Sequence, residues 1–278
     1  MNLRRLINGT LIFGLALIVQ ACGVNDEEIS TAQLRVGLTD APAAYDQVNI
    51  EILQVLVNTN GDEDLEEGEE TETDSLENNG WYAILEDSIY VNLLDYQNGA
   101  ILDLGTATVE PGQYNQVRLL LGDNNNVVVD GITYDLKTPS AQQSGYKLQI
   151  NETVEAGGVY DLIIDFDASR SVVQRGNGSY LLKPVLRTVD LDETGSISGT
   201  VFPADGADWV YAIHQSDADT VGTQPDDGGN FSLIGLQEGV YDLSIIASEA
   251  YQDSTIMDIE LMDEDLVLQD TVRLNPAN

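Results

Sequence analysis

Asp165 and Asp167 stand two residues apart at the end of the alternating stretch Val159 to Phe166. In a strand their carboxylates leave the same face, while Phe166 points the other way into a core. A carboxylate pair of this kind can work as acid and base in glycoside hydrolysis, or hold a divalent ion. The alternative is structural: Arg170, Lys183 and Arg187 lie close in sequence or on a neighbouring strand, and ion-pair networks also gather charges. Ion pairing is the favoured expectation. His214 is the only histidine and ends the strand pattern Val210 to Ile213, which predicts a surface or edge position. A Ser–His–acid triad would need it, yet no serine stands in a nucleophile elbow. In Gly195-Ser196-Ile197-Ser198-Gly199 the central residue is Ile197. One cysteine and one histidine in the chain argue against a zinc or copper site, and the sequence has no phosphate-cradling glycine loop. No catalytic, cofactor-binding or metal-binding residue is assigned, and the chain is expected not to be an enzyme.

The remaining reactive side chain is Cys22. Arg4 and Arg5 precede an apolar run from Leu11 to Val19, and Ala21 stands just before the cysteine. A basic start, a short apolar run and a small residue at the cut describe a secretory signal peptide. The run is shorter than the roughly 20 apolar residues a membrane-spanning helix needs. Val19-Gln20-Ala21-Cys22 resembles the lipobox of bacterial lipoproteins. That resemblance implies a diacylglyceryl group on the Cys22 sulfur and a mature chain beginning there. It also accounts for an unpaired cysteine in an exported protein, and a multiply acylated cysteine holds a membrane stably. The next residues include Asp26, Glu27 and Glu28. They resemble the acidic signal that sends some Gram-negative lipoproteins to the outer face, and they read equally as a solvated tether.

The chain has 48 acidic and 11 basic residues, a formal charge of −37. Removing residues 1–21 takes away only Arg4 and Arg5, leaving 48 acidic against 9 basic, or −39. Such a surface repels phosphate backbones, which excludes nucleic acid as a partner. It also repels anionic headgroups, so a lipid anchor must hold without basic help. Cations, basic peptides and counterions are what it attracts. From 58 to 80 there are ten Asp or Glu, no basic residue and no apolar periodicity, which predicts a solvated loop. Its start, Asn58 to Asp64, faintly resembles an oxygen-rich calcium loop, and weak calcium binding is the rival expectation.

The elements that must position these residues are strands. Short alternating stretches bounded by Gly, Asn, Asp and Pro recur throughout, with no long helical period after the leader. Leu34, Val36 and Leu38 mark the first strand, ended by Asp40-Ala41-Pro42. Val48, Ile50 and Ile52 mark the second, whose phase then switches to Leu53, Val55 and Val57, predicting a bulge. Further strands are expected at 81–85, 89–96, 116–121, 127–129, 132–136, 146–150, 159–166 and 180–189, with Asn98-Gly99 as a turn. A glycine turn followed two residues later by a tyrosine occurs three times, at Tyr114, Tyr160 and Tyr241, each leading into an alternating strand. That pattern matches a tyrosine corner, whose phenol bonds back to the backbone. These tyrosines are therefore expected to be structural. The expected fold is all-β: two Greek-key β-sandwich domains after a lipoprotein signal peptide at 1–21 and a tether at 22–33, with a linker at Leu191 to Thr194.

The first sandwich, 34–191, resembles a family of bacterial and archaeal lipoproteins called domain of unknown function 4382. The resemblance rests on Thr39-Asp40-Ala41-Pro42, on Pro111 to Tyr114 with Arg118-Leu119, on Asp165 to Val172 and on Leu182 to Arg187. Within that pattern 58–80 looks like an insertion. The second sandwich, 195–276, resembles the carboxypeptidase regulatory-like, transthyretin-shaped domains. The matching pieces are Gly195 to Val201, Asp226 to Leu233 and Gly235 to Tyr241. Neither resemblance implies catalysis, and the second implies an accessory or spacer module. The expected function is non-catalytic binding, adhesion or structural presentation. The chain is expected to be lipid-anchored to the outer membrane through Cys22 and to meet a glycan or protein ligand at the cell surface. The alternatives are a glycan-acting enzyme using Asp165 and Asp167, and a calcium-dependent adhesive or assembly module.

Overall fold

The computed structural model describes residues 31–59, 80–85, 87–138, 145–191, 193–263 and 265–277. Cys22 and nearly all of the acidic stretch lie outside these residues. Strand makes up 64% of the structure and helix 4%, in sandwich-like domains, so the chain is all-β as expected.

Four strands form the first sheet, in the order β13 (Leu186–Asp190), β10 (Val159–Asp167), β1 (Ala32–Ala41), β5 (Leu102–Val109). The second sheet is built on β2 (Gln47–Asn58). It runs β11 (Val172–Gln174), β12 (Tyr180–Leu182), β8 (Ile132–Lys137), β7 (Asn126–Val129), β2, β6 (Gly112–Leu121), β9 (Tyr146–Val154). On the other side of β2 lie β3 (Trp81–Leu85) and β4 (Ile89–Asn92). Alternation decides the core between the two sheets. Leu34, Val36 and Leu38 of β1 meet Val48, Ile50 and Ile52 of β2, all essentially without exposure. Each fully buried side chain of this size is worth about 1.5–3 kcal/mol.

The bulge in β2 is present and corrects one detail. Pairing with β6 skips from Ile52 to Gln54, so Leu53 is the extra residue and its side chain is 40% exposed. Beyond the bulge Val55, Leu56 and Val57 are all buried, because Leu56 and Trp81 form a small second cluster on the outer face. The Arg118 guanidinium lies 4.4 Å from the Trp81 ring centre.

Two expected elements differ, and one strand was not expected. The stretch 89–96 is a strand only to Asn92, whose side chain caps the 3-10 turn Leu93–Tyr96 and takes the Val48 N–H. The stretch 180–189 breaks at Pro184, which has no N–H to donate. Lys183 and Val185 instead donate to the Ser171 carbonyl and hydroxyl. Strand β5 was not expected, because a bulge at Gly105 (φ +134°) interrupts the alternation of Leu104, Ala107 and Val109. A Cβ on Gly105 would collide with the Ile84 carbonyl oxygen.

A second core shares no member with the first. It lies between β14 (Gly195–Phe202), flanked by β17 (Asn230–Leu236), β20 (Leu266–Leu268) and β21 (Val272–Arg273), and another sheet. That sheet runs β16 (Thr220–Thr223), β15 (Ala207–His214), β18 (Gly239–Ala247), β19 (Ser254–Leu261). Ile197, Val210, Phe231, Leu243 and Ile245 fill it.

The tyrosine turns divide two to one. Tyr114 donates to the Glu110 carbonyl at 2.9 Å and Tyr241 to the Gln237 carbonyl at 2.8 Å. Tyr160 reverses the sense, its hydroxyl accepting the Glu155 N–H at 2.8 Å. All three phenols hold backbone, as expected of structural tyrosines. Tyr114→Phe keeps the ring in the core but leaves the Glu110 carbonyl unpaired. A loss of about 1 kcal/mol by urea unfolding is expected, whereas Tyr160→Phe, whose partner N–H is exposed, should cost less.

Candidate functional site

The carboxylates singled out in the sequence meet at the end of β1 and β10, which run parallel with Thr39 beside Asp165 and Ala41 beside Asp167. Asp165 is 7% exposed and takes the Arg187 Nε–H at 2.6 Å across the antiparallel pair with β13. Asp167 caps the one-turn helix Ala168–Ser171, accepting the Arg170 N–H at 2.9 Å and the Ser169 hydroxyl at 2.7 Å. The Arg170 guanidinium is a looser partner at 3.8 Å, and its side chain is largely exposed. Of the three cations considered, Arg187 and Arg170 are engaged. Lys183 is exposed, and no ion pair is recorded for it among the described residues.

A third carboxylate joins them that sequence reasoning did not single out. Asp40 is 5% exposed, and its Oδ1 accepts the Ala168 N–H at 3.0 Å. Its Oδ2 accepts from Gln97 Nε2 at 3.4 Å. Thr39 beside it donates its hydroxyl to the Tyr96 and Ala100 carbonyls. The available signal was an acid closing a strand that is buried on both faces from Val36 to Asp40. Burial pushes the Asp40 carboxyl well above the usual carboxylate range, and the charges of Asp165 and Asp167 add to the push. Burial also raises Asp165, outweighing the opposing pull of Arg187.

The second core closes over this cluster. Val221, Gly222 and Thr223 of β16 line the same space as Asp40, Asp165 and Arg187. Asn98, in the left-handed conformation (φ +59°) of the Asn98-Gly99 turn, crosses to the edge of β17. Its amide donates to the Asn230 carbonyl at 3.0 Å and accepts the Ser232 N–H at 2.6 Å, as a neighbouring strand would. The cavity touching Asp40 has about 30 Å³, room for one or two waters. The neighbouring cavity, bordered by Asp165, Asp167, Arg170, Arg187 and Asp219, has about 230 Å³. Small-molecule sites usually begin near 300 Å³.

His214 does end β15, but its side chain is mostly buried and not on the surface. It is 15% exposed, lies 5.0 Å from the Tyr241 ring centre and bonds to Asp217 at 2.7 Å. A Cβ on Gly239 would collide with its Nε2, so the glycine makes the room. Ile197, at the centre of the false elbow motif, is fully buried. Among the described residues no group of three or more His, Cys, Asp or Glu could hold a metal ion.

The pieces Thr39 to Pro42 and Asp165 to Val172, distant in sequence, thus build one junction. A family model, domain of unknown function DUF4382, matches residues 31–184, more than half of the chain. The chain belongs to the DUF4382 family. The match takes in Asp40, Asp165, Asp167 and Arg170 and ends three residues before Arg187. No curated protein matches the sequence. Among solved structures, the Bacillus anthracis TIE protein aligns at 13% identity and a TM-score of 0.22, over 88% of this chain and 34% of its own. The shaft pilin spaA of Lactobacillus rhamnosus GG aligns at 11% identity and 0.23, over 89% of this chain and 100% of its own. A minor pilin of Streptococcus agalactiae aligns at 11% identity and 0.22, over 88% of this chain and 96% of its own. These similarities are distant, and at such scores no role passes from those proteins to the DUF4382 chain.

Because Asp40 holds its proton more tightly folded than unfolded, its contribution to stability falls as pH rises from about 4 through its raised folded value. Asp40→Asn keeps an oxygen for the Ala168 N–H and removes the buried charge. It should raise the melting temperature at pH 7 and flatten its decline between pH 4 and pH 7. Arg187→Ala leaves the buried Asp165 carboxylate without its counter-charge. The expected loss is about 1.5–3 kcal/mol at pH 7, shrinking toward pH 4 as the carboxyl takes up a proton, measured by denaturant unfolding at both pH values.

Proposed function

We propose that this DUF4382 protein is a non-catalytic binding, adhesion or structural module of the cell envelope, tethered by a lipid on Cys22 and displayed at the surface. The observation that carries this reading is the use to which the carboxylates are put. Asp165 is held in an ion pair with Arg187 and Asp167 is spent as a helix cap. An acid–base pair for glycoside hydrolysis needs two carboxyls open to a bound sugar. Asp40 has a raised pKa of the kind a general acid uses, yet it borders a space of only about 30 Å³.

The tether rests on the leader: Arg4 and Arg5, the apolar run Leu11 to Val19, and Ala21-Cys22. A strongly acidic exterior suits a crowded aqueous surface, where it keeps chains apart. The second core, with the motifs of a carboxypeptidase regulatory-like sandwich, serves on this reading as an accessory module carried beyond the first.

Cys22→Ser should move the protein from the membrane fraction to the soluble fraction in a producing bacterium. Mass spectrometry of the wild-type mature N-terminus should find an acylated Cys22, and an unmodified cysteine there would overturn the tether.

A further inference from the structure

The outer face of the nine-stranded sheet carries an organised polar surface away from the junction. Because Val48, Ile50 and Ile52 of β2 point inward, Gln47, Asn49 and Glu51 point outward. Pairing sets Asn126 of β7 opposite Asn49, Tyr90 of β4 opposite Glu51, and Asp135 of β8 opposite Asn126. Asn49 Nδ2 donates to Gln47 Oε1 at 3.2 Å and to Asn126 Oδ1 at 3.0 Å, and Asn126 Nδ2 donates to the Tyr90 hydroxyl. This relay couples the orientations of the three amides to one another. No partner is recorded for Asn49 Oδ1, the second N–H of Asn126 or the Tyr90 hydroxyl proton among the described residues. The Tyr90 side chain is 49% exposed.

Through Asn126 the row reaches a cavity of about 470 Å³, lined also by Asp123, Asn124, Thr133, Asp135 and Lys137. Its wall is held in place by Asn125, which is 4% exposed. Asn125 accepts the Glu51 N–H at 2.8 Å, donates to the Gly122 carbonyl at 2.6 Å, and takes the Leu136 N–H on its own carbonyl at 2.9 Å. The Asn124 N–H bonds to Glu51 Oε2 at 3.2 Å. The site is therefore preorganised, which reduces the ordering cost of binding.

We propose that this face binds a neutral saccharide, deepening the binding role put forward above and resting on it. Sugar hydroxyls donate and accept together, and side-chain amides supply both functions at fixed positions. The apolar C–H face of a pyranose fits on an exposed aromatic ring, as the 49%-exposed Tyr90 provides. Glu51, Asp123 and Asp135 around a single Lys137 disfavour an anionic ligand. One exposed ring is far short of the apolar patch that marks a protein partner. The cavity falls within the usual range for small-ligand sites, about 300–1,000 Å³, which the one beside Asp165 and Asp167 does not reach.

The test is calorimetric titration of the full chain with neutral hexasaccharides of glucose, mannose and N-acetylglucosamine, and separately with decalysine, to millimolar concentration. At least one saccharide should bind. Tyr90→Ala and Asn126→Ala should each weaken it at least about tenfold, with melting temperatures checked alongside. Tyr90→Phe, which keeps the ring and the fold, should weaken it less, and Asp219→Asn at the junction should leave it unchanged. A saccharide that binds wild type and both alanine variants alike would overturn this site while leaving a binding role in place. Decalysine binding without any saccharide, or no binding at all, would overturn the ligand class. Antibody labelling of intact cells would then still decide, independently, whether the chain is displayed at the surface.

Discussion

The parallel pairing of β1 with β10 is the constraint on which most of this molecule depends. The two strands are separated by well over a hundred residues yet run in unbroken register from Gln33 and Val159 to Ala41 and Asp167. Closing so long a loop adds little beyond closing a shorter one, since each doubling of length costs only about 0.6 kcal/mol. In return β1 becomes a central strand, with β5 on its other side and Leu34, Val36 and Leu38 wholly buried. The pairing also delivers Asp40 to the Ala168 N–H and sets Asp165 within reach of Arg187 on β13. The junction with the second core is assembled on that end of the sheet.

A chain this acidic repels itself, and that repulsion opposes compaction. Ion pairs offset little of it. Arg35 with Asp161 is 2.6 Å apart but half-exposed on both sides, a setting in which a pair contributes at most about 1 kcal/mol. Asp165 with Arg187 is the better-buried pair, and even there desolvation outweighs attraction. The two apolar cores must therefore supply the stability. Many aspartates serve a different purpose, as acceptors for backbone N–H groups where strands end. Asp103 holds Gly105, Asp167 holds Arg170, Asp217 holds Asp219, and Asp226 holds Gly228 and Asn230. The Asp219 N–H pulls the Asp217 carboxyl below its ordinary range, and the Asn230 side-chain amide, with the Asn230 N–H, does the same to Asp226. The acidity of the sequence is thus partly a turn-forming device.

The same economy separates architecture from recognition. The pieces Thr39 to Pro42 and Asp165 to Val172 are consumed by a junction whose carboxylates are held by backbone N–H groups and by Arg187. On the outer face of the nine-stranded sheet the amides of Gln47, Asn49 and Asn126 are oriented but incompletely used. Partly used donors and acceptors on a rigid strand row are what a ligand of many hydroxyls requires. That contrast is the physical ground for seeking the ligand on the sheet face.

Local patterns determined much of this protein from the sequence alone. Period-two alternation in residues 34–38 and 48–52 marked strands because each side chain's face is set by its own position in the pleat. The phase switch after Ile52 marked a bulge, and the glycine-then-tyrosine spacing marked backbone-holding phenols at Tyr114 and Tyr241. The Asp165–Arg187 pair was legible as one of three candidate partners. What the sequence could not decide were relations between distant segments. Whether β1 pairs parallel with β10, whether Asp40 is buried against Ala168, and whether Asn49 meets Asn126 and Tyr90 all depend on strand order and register. Those are settled by how two whole sheets share a core, a collective property that no window of neighbouring residues contains. Strand β5 was missed for the converse reason. Its bulge at Gly105 is favourable only because the Ile84 backbone lies against it, and Ile84 arrives there by tertiary packing.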